Sequence, residues 1–312
     1  MRVTKADTGN EGPERARFER ARFRVVHHDT TATSMRDARA LLEADPTRPV
    51  VVRADVQTAA VGRLGRPWSA PRGGLWFTAA FGVDRLDAAG PCAILAGLAT
   101  IRAVESIGLA PGRARLRWPN DVLVGGDKLS GVLCETFRLE PGSGRAAHGV
   151  LVGVGINANL RAADLPGGLR TPPTTLLEIL GEPIDADALL GEWLGAFAAG
   201  LERLRDGALH PDDLDAAQQH LAWRGERVSV TGGGTPVSGL LLGLDPGGGA
   251  RLLDAARGEV VTLRSGELSV RADPETASPG SQTGAKVDVR MTASAGDAGD
   301  PAGGAPPDGR HG

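Results

Sequence analysis

Three short segments gather residue types able to handle phosphate and carboxylate groups. The first runs Gln57-Thr58-Ala59-Ala60-Val61-Gly62-Arg63-Leu64-Gly65-Arg66-Pro67-Trp68 and continues through Ser69 to Gly74. Its glycines let the backbone approach a ligand closely. Arg63 and Arg66 can pair with phosphate oxygens, and Trp68 offers a stacking face for a planar ring. A solvated basic loop between two strands fits the same composition. The second segment is Arg117-Trp118-Pro119-Asn120-Asp121, followed by Lys128-Leu129-Ser130-Gly131-Val132-Leu133-Cys134-Glu135. It sets an aromatic, an amide, a carboxylate and an ammonium around one strand–turn–strand, although Lys128 can also be read as a snorkelling surface lysine. The third, Gly153-Val154-Gly155-Ile156-Asn157-Ala158-Asn159, closes an apolar strand. Its alternative is a plain strand-to-loop exit with the asparagines in turn conformations.

Other suggestive spots carry less. Gly232-Gly233-Gly234 lacks the Gly-Lys-Ser/Thr of a P-loop and reads as a hairpin turn. Gly153-Val154-Gly155 lacks the third glycine of a dinucleotide fingerprint. The six histidines are scattered, and none is assigned a catalytic role. Cys92 and Cys134 sit in apolar patterns and read as small core residues. No Cys/His cluster has metal-ligand spacing, so no protein-bound metal is expected.

Several elements must position these segments. A first strand is expected at Phe23–Val26 and a helix at Ser34–Ala44, capped by Thr33 or Ser34. A buried-type strand is expected at Pro49–Ala54, a further strand at Leu75–Phe81, and a long helix at Ala88–Gly108 with Ile94, Leu98, Ile101 and Val104 at helical spacing. Two short strands flank Pro119-Asn120, and Leu129–Phe137 and Gly149–Ile156 read as neighbours in one sheet. Helices follow at Thr175–Leu180, Asp185–Arg205 and Asp212–Ala222. From Arg227 the period becomes 2 between turn signals, predicting a small antiparallel barrel of about five strands.

The 312 residues allow two domains, and 41% apolar content supplies a core. The expected division is a flexible lead over residues 1–21, a catalytic domain over 22–222, a barrel over 223–272 and a disordered tail over 273–312, which has no Leu, Ile, Phe or Trp. No apolar run has the length of a membrane span, and the polar N-terminus lacks a secretory pattern, so a cytoplasmic location is expected. A net charge of −3 gives no whole-protein footprint for nucleic acid.

Taken together and in this order, the three segments resemble the biotin–protein ligase family. The family pattern is Gln-Thr-x-Gly-Arg-Gly-Arg-x-Gly-Arg-x-Trp, then Lys-Trp-Pro-Asn-Asp, Lys-x-x-Gly-x-Leu-x-Glu and Gly-x-Gly-x-Asn. The likeness covers residues 23–271. It implies an α/β (α+β) fold: a mixed-sheet biotin/lipoate ligase-like catalytic domain followed by an SH3-like β-barrel. It also implies ATP-dependent formation of biotinyl-5'-AMP and pyrophosphate, then transfer of biotin to a lysine of a biotin carboxyl carrier protein. ATP and biotin are the implied substrates, with Mg²⁺ carried by the nucleotide. About twenty residues precede the first strand, too few for a three-helix DNA-binding module, so no DNA partner is expected; a homodimer is left open.

The resemblance implies roles residue by residue. Thr33, Ser34 and Met35 fall where the family touches the ureido end of biotin, and Gln57 matches its biotin-binding glutamine. Val61, Gly62 and Arg63 lie in the biotin loop, and Arg66 and Trp68 match groups on the phosphate and adenine side. Asn120 and Asp121 match an Asn-Asp step near the phosphates, Lys128 the lysine that contacts biotin's carboxylate and the reacting phosphate, and Asn157 a strand bordering the nucleotide. Lys128, Arg63 and Asp121 are the expected catalytic residues, Asp121 as the group that receives the carrier lysine's proton. Ala60 and Val61 depart from the family's Gly-Arg, and Arg117 from its lysine. A biotin-binding relative with weak transfer, a ligase for another acyl acid such as lipoate, and a non-enzymatic interaction module remain as alternatives.

Overall fold

A computed structural model describes residues 23–83, 89–140, 147–232 and 235–270. The expected lead and tail, and Gly233 and Gly234 of the expected turn, lie outside the described residues.

The strands are β1 (Arg24–Thr31), β2 (Val50–Gln57), β3 (Leu75–Val83), β4 (Ala114–Arg117), β5 (Asp121–Val124), β6 (Asp127–Arg138) and β7 (His148–Ile156). They form one sheet in the order β1-β2-β3-β7-β6-β5-β4. β1 and β2 pair in parallel and every other neighbour is antiparallel, so the sheet is mixed. The parallel pair needs a crossover, which α1 (Ser34–Ala44) supplies. Thr33 caps α1 by accepting from the Met35 N–H.

Side-chain alternation divides the sheet into two faces. Val51, Phe77, Val152 and Val154 join the main core with α2 (Ala89–Ser106) and α4 (Ala186–Arg203). Trp193 of α4 anchors that face, edge-on to Phe77 with ring centroids 4.8 Å apart, its indole N–H donating to Thr100 Oγ1 at 3.1 Å. Val50, Val52, Ala80 and Leu151 face the other way and pack under Ala38 and Leu42 of α1. Two shorter helices, α3 (Leu176–Leu180) and α5 (Pro211–His220), flank α4 in sequence.

β8 (Arg227–Thr231), β9 (Val237–Leu244), β10 (Ala250–Asp254), β11 (Val260–Leu263) and β12 (Glu267–Val270) form an antiparallel sheet ordered β11-β10-β9-β8-β12. Its pairing does not close: β11 and β12 are the two edges, yet only residues 264–266 join them. That link reaches about 14 Å, whereas the edges of a flat five-stranded sheet stand about 19 Å apart. The sheet is therefore curled into barrel shape without completing the hydrogen-bonded ring. Trp118 ties it to the larger sheet. Its buried indole N–H donates to Gly248 O at 2.9 Å.

Candidate functional site

On the α1 face, beyond the end of that helix, β7 and β6 carry glycines where side chains would stand. Along β7, Leu151 packs under α1, and the next residues on the same face are Gly153 and Gly155. A Cβ on Gly153 would stand 2.7 Å from Met35 Sδ, and one on Gly155 would stand 2.7 Å from Trp68 Cζ2. A Cβ on Gly131 of β6 would lie 3.1 Å from Trp68 Cζ3 and from Lys128 Nζ. The glycines let Met35, Trp68 and Lys128 close onto the strands, and all of these line a cavity of about 260 Å³.

Thr33, Ser34, Met35, Gln57, Val61, Gly62, Arg63, Arg66, Trp68, Asn120, Asp121, Lys128 and Asn157 all line this one cavity. Its two ends differ in chemistry. At the α1 end, Ser34 Oγ is 2.8 Å from Thr78 Oγ1, and Gln57 Oε1 accepts from the Ser34 N–H at 2.7 Å. With its oxygen so used, the Gln57 amide presents its NH₂ as a donor. At the other end, Asp121 is buried between cations: Lys128 Nζ lies 2.7 Å from Oδ1, and Arg117 pairs with Oδ2. Lys128 Nζ also stands 5.1 Å from the Trp68 ring centroid, a cation–π distance.

The loop carrying the arginines folds back on itself. Gln57 N donates to Ala70 O, Trp68 N to Ala60 O at 2.9 Å, and Gly62 N to Arg66 O at 2.8 Å. Its tip, Leu64-Gly65, takes left-handed dihedrals with φ of 59° and 70°. Ala60 and Val61 are not among the positive-φ residues, so alanine in place of glycine carries no backbone strain there. Val61 is 46% exposed at the mouth. Arg63 Nη1 donates to Asn120 Oδ1 at 3.2 Å and to Gly266 O at 3.1 Å. Burial pushes the Arg63 guanidinium below its usual range, and Asp121 and Glu267 oppose that shift; it stays charged at neutral pH.

Two expected site residues have additional structural duties. Asn157 is buried, with its amide NH₂ donating to Lys128 O at 3.2 Å and Thr174 O at 3.0 Å. Asp121 has a cation against each oxygen, Arg117 at Oδ2 and Lys128 at Oδ1. Sequence reasoning missed Glu267 and Arg170. Glu267 pairs with Arg66 and with Arg170 Nη1, the latter at 2.6 Å, so a β12 carboxylate gathers the arginine loop and the 165–173 segment over the cavity. Nothing in the local pattern around Glu267 signals this, because its partners lie far away in sequence.

Burial pushes the Cys92 thiol up to about 12 and Cys134 higher than usual as well, leaving both as poor nucleophiles. Among the described residues, His27, Asp29 and Asp55 cluster closely enough to hold a metal. They lie outside the cavity, and Asp55 already has Arg72 at 2.8 Å. No helix among the described residues is long and apolar enough to cross a membrane.

Comparison with known proteins gives a consistent set of likenesses. The model of the biotin/lipoate A/B protein ligase family matches residues 26–157. A bifunctional ligase/repressor of Bacillus subtilis is 30% identical over 188 residues, 60% of this chain and 55% of that protein. The chain thus spans about half the length of that relative. A biotin–[acetyl-CoA-carboxylase] ligase of Paracoccus denitrificans is 31% identical over 216 residues, 67% of this chain and 86% of that protein. Among solved structures, a biotin protein ligase from Aquifex aeolicus in complex with biotin and ATP is similar with a TM-score of 0.64 and 28% identity, over 80% of this chain and 99% of that one.

Proposed function

The chain belongs to the biotin–protein ligase family, and on that premise we propose that it joins biotin to AMP and passes the biotin to a lysine of a carrier protein. One observation carries the reading: a single cavity has neutral hydrogen-bonding groups at one end (Ser34, Gln57) and a cationic cluster at the other (Lys128, Arg63, Arg66). Biotin matches that polarity, with a ureido ring at one end and a carboxylate at the other. The dithiolane of lipoate has no acceptor of comparable strength and leaves the Gln57 NH₂ without a partner, because Ser34 Oγ and Gln57 Oε1 are already paired within the protein.

Biotin's carboxylate oxygen attacks the α-phosphorus of ATP. The bond to the bridging oxygen breaks, and pyrophosphate leaves. Both reactants are anionic, so Lys128 and Arg63 act by holding them together and offsetting their repulsion. Trp68 offers its ring to the adenine. The two carboxylates lining the cavity, Asp121 and Glu267, are each held by cations. In this reading magnesium arrives on the phosphates as part of the substrate, and no protein group is assigned to it.

Lys128 and Asp121 then couple the two steps. When Lys128 turns to the reacting anions it vacates Asp121 Oδ1, which can accept the proton of the incoming carrier lysine. The lysine nitrogen attacks the acyl carbon, an amide forms and AMP departs. Residues 22–222 supply this chemistry, and residues 223–272 contribute Gly266 and Glu267 at the mouth. The partner is the biotin carboxyl carrier protein of a cytoplasmic carboxylase. Incubation with ATP, biotin and an apo carrier domain tests the reading by mass spectrometry. One biotin per carrier is expected; an unmodified carrier, with a known ligase active in parallel, refutes it.

A further inference from the structure

Arg117 ends β4, and its guanidinium serves two acceptors. One nitrogen donates to Asp121 Oδ2 and the other to Thr171 Oγ1. Asp121 holds Lys128 through its second oxygen at 2.7 Å. The Lys128 backbone is in turn bonded to the segment that carries Thr171: Lys128 N donates to Pro172 O at 2.7 Å, and Thr174 N donates to Lys128 O at 3.0 Å. The contacts close a ring from Arg117 through Asp121, Lys128 and the 171–174 backbone to Arg117 again. Leu165, Pro166, Leu169 and Arg170 on the same strap line the cavity, and residues 166–170 are exposed.

A lysine, as in the family pattern, would have to reach Asp121 and Thr171 from a single nitrogen. An ammonium is a compact point charge, whereas the planar guanidinium directs separate nitrogens at separate acceptors. We propose that Arg117 is a positioning residue that clamps the 165–171 strap to the Asp121–Lys128 pair, so that the cover of the nucleotide end and the aim of Lys128 are set together. The identity of the ligand rests on the proposed function; the clamp does not.

The test uses the full chain with Arg117→Lys, Thr171→Val, the two combined, and Thr171→Ser. Amide hydrogen exchange at Asp164, Leu165 and Thr174, the strap residues whose N–H groups are bonded to other backbone, is read without ligand, and ATP KM and kcat are read from biotin-dependent pyrophosphate release. Arg117→Lys and Thr171→Val should each speed strap exchange roughly three- to tenfold, the range set by one lost hydrogen bond. The double variant should go no further than either single, because both remove one interaction. Thr171→Ser keeps the hydroxyl and should exchange like the wild type. KM for ATP should rise by a similar factor in the first two variants, with a smaller change in kcat. Unaltered strap exchange, or additive effects in the double variant, overturns the clamp. A wild-type chain that releases no pyrophosphate overturns the proposed function instead, and the exchange data then decide the clamp alone.

Discussion

Gly155→Ala adds one methyl group to the cavity floor, and its consequence can be worked out from the packing. A Cβ there would stand 2.7 Å from Trp68 Cζ2, 2.8 Å from Cε2 and 2.9 Å from Nε1. Carbon atoms pack at about 3.5 Å or more, so the indole must retreat by roughly 0.8 Å. Gly155 is not in the positive-φ region, so alanine itself fits the strand and the effect is steric. Retreat is hindered by Trp76, edge-on to Trp68 at 6.2 Å between centroids, and by Lys128. Overpacking of this kind costs about 1–3 kcal/mol. If the ATP-bound state needs the indole in place, the ATP dissociation constant rises about five- to 150-fold. Gly153→Ala is the control. Its methyl would meet Met35 Sδ, the end of a flexible thioether that can swing aside, so ATP binding should change by less than about threefold. Calorimetric titration of the two variants with ATP makes the comparison. Wild-type affinity in Gly155→Ala would refute the argument that Gly155 is needed to seat Trp68.

Lys128→Ala should slow adenylation at least about tenfold, since one charge-assisted contact is worth about 1.5–3 kcal/mol; wild-type pyrophosphate release would return Lys128 to the role of a surface lysine. Val61→Arg should tighten biotin binding by about tenfold to a hundredfold, because it restores a polar contact that valine cannot make. Unchanged affinity by calorimetry would mean that other groups already compensate. Cys92 sets an alkaline limit. Its thiol ionises only near 12 when folded, against a reference value of 9.0, so the native state retains a proton that the unfolded chain loses. Stability is therefore whole below pH 9 and falls as pH rises toward 12, by about 1.4 kcal/mol per unit from this thiol. Denaturant melts between pH 8 and pH 11 should show a shallower decline in Cys92→Ala, and equal slopes would contradict the assignment.

Local chemistry made much of the fold legible. The Thr33-Ser34 step before the helix announces a cap, and of the two residues Thr33 forms it. Alternation explains why Val154 enters the core while Gly153 and Gly155 face the cavity, although the sequence alone left that segment open between a ligand-handling site and an ordinary strand exit. β1 runs on to Thr31 and β2 to Gln57, beyond the apolar residues that signal them, because their ends are held by pairing with each other rather than by burial. What stayed illegible depends on distant partners. Glu267 meets Arg66 and Arg170 only after the curled sheet is docked. Arg117 reads in sequence as a charge-conserving replacement, and its second contact becomes visible only when Thr171 arrives beside it. Asn157 reads as a nucleotide-side amide, and the fold shows its donors committed to the carbonyls of Lys128 and Thr174.

The central claim is that one cavity activates a ureido-bearing carboxylic acid with ATP. Pyrophosphate release from ATP, measured in parallel with biotin, with lipoate and with no acid, tests it most directly. The account predicts release with biotin alone, near background without acid and with lipoate. Equal release with lipoate, or release that needs no acid at all, would contradict it.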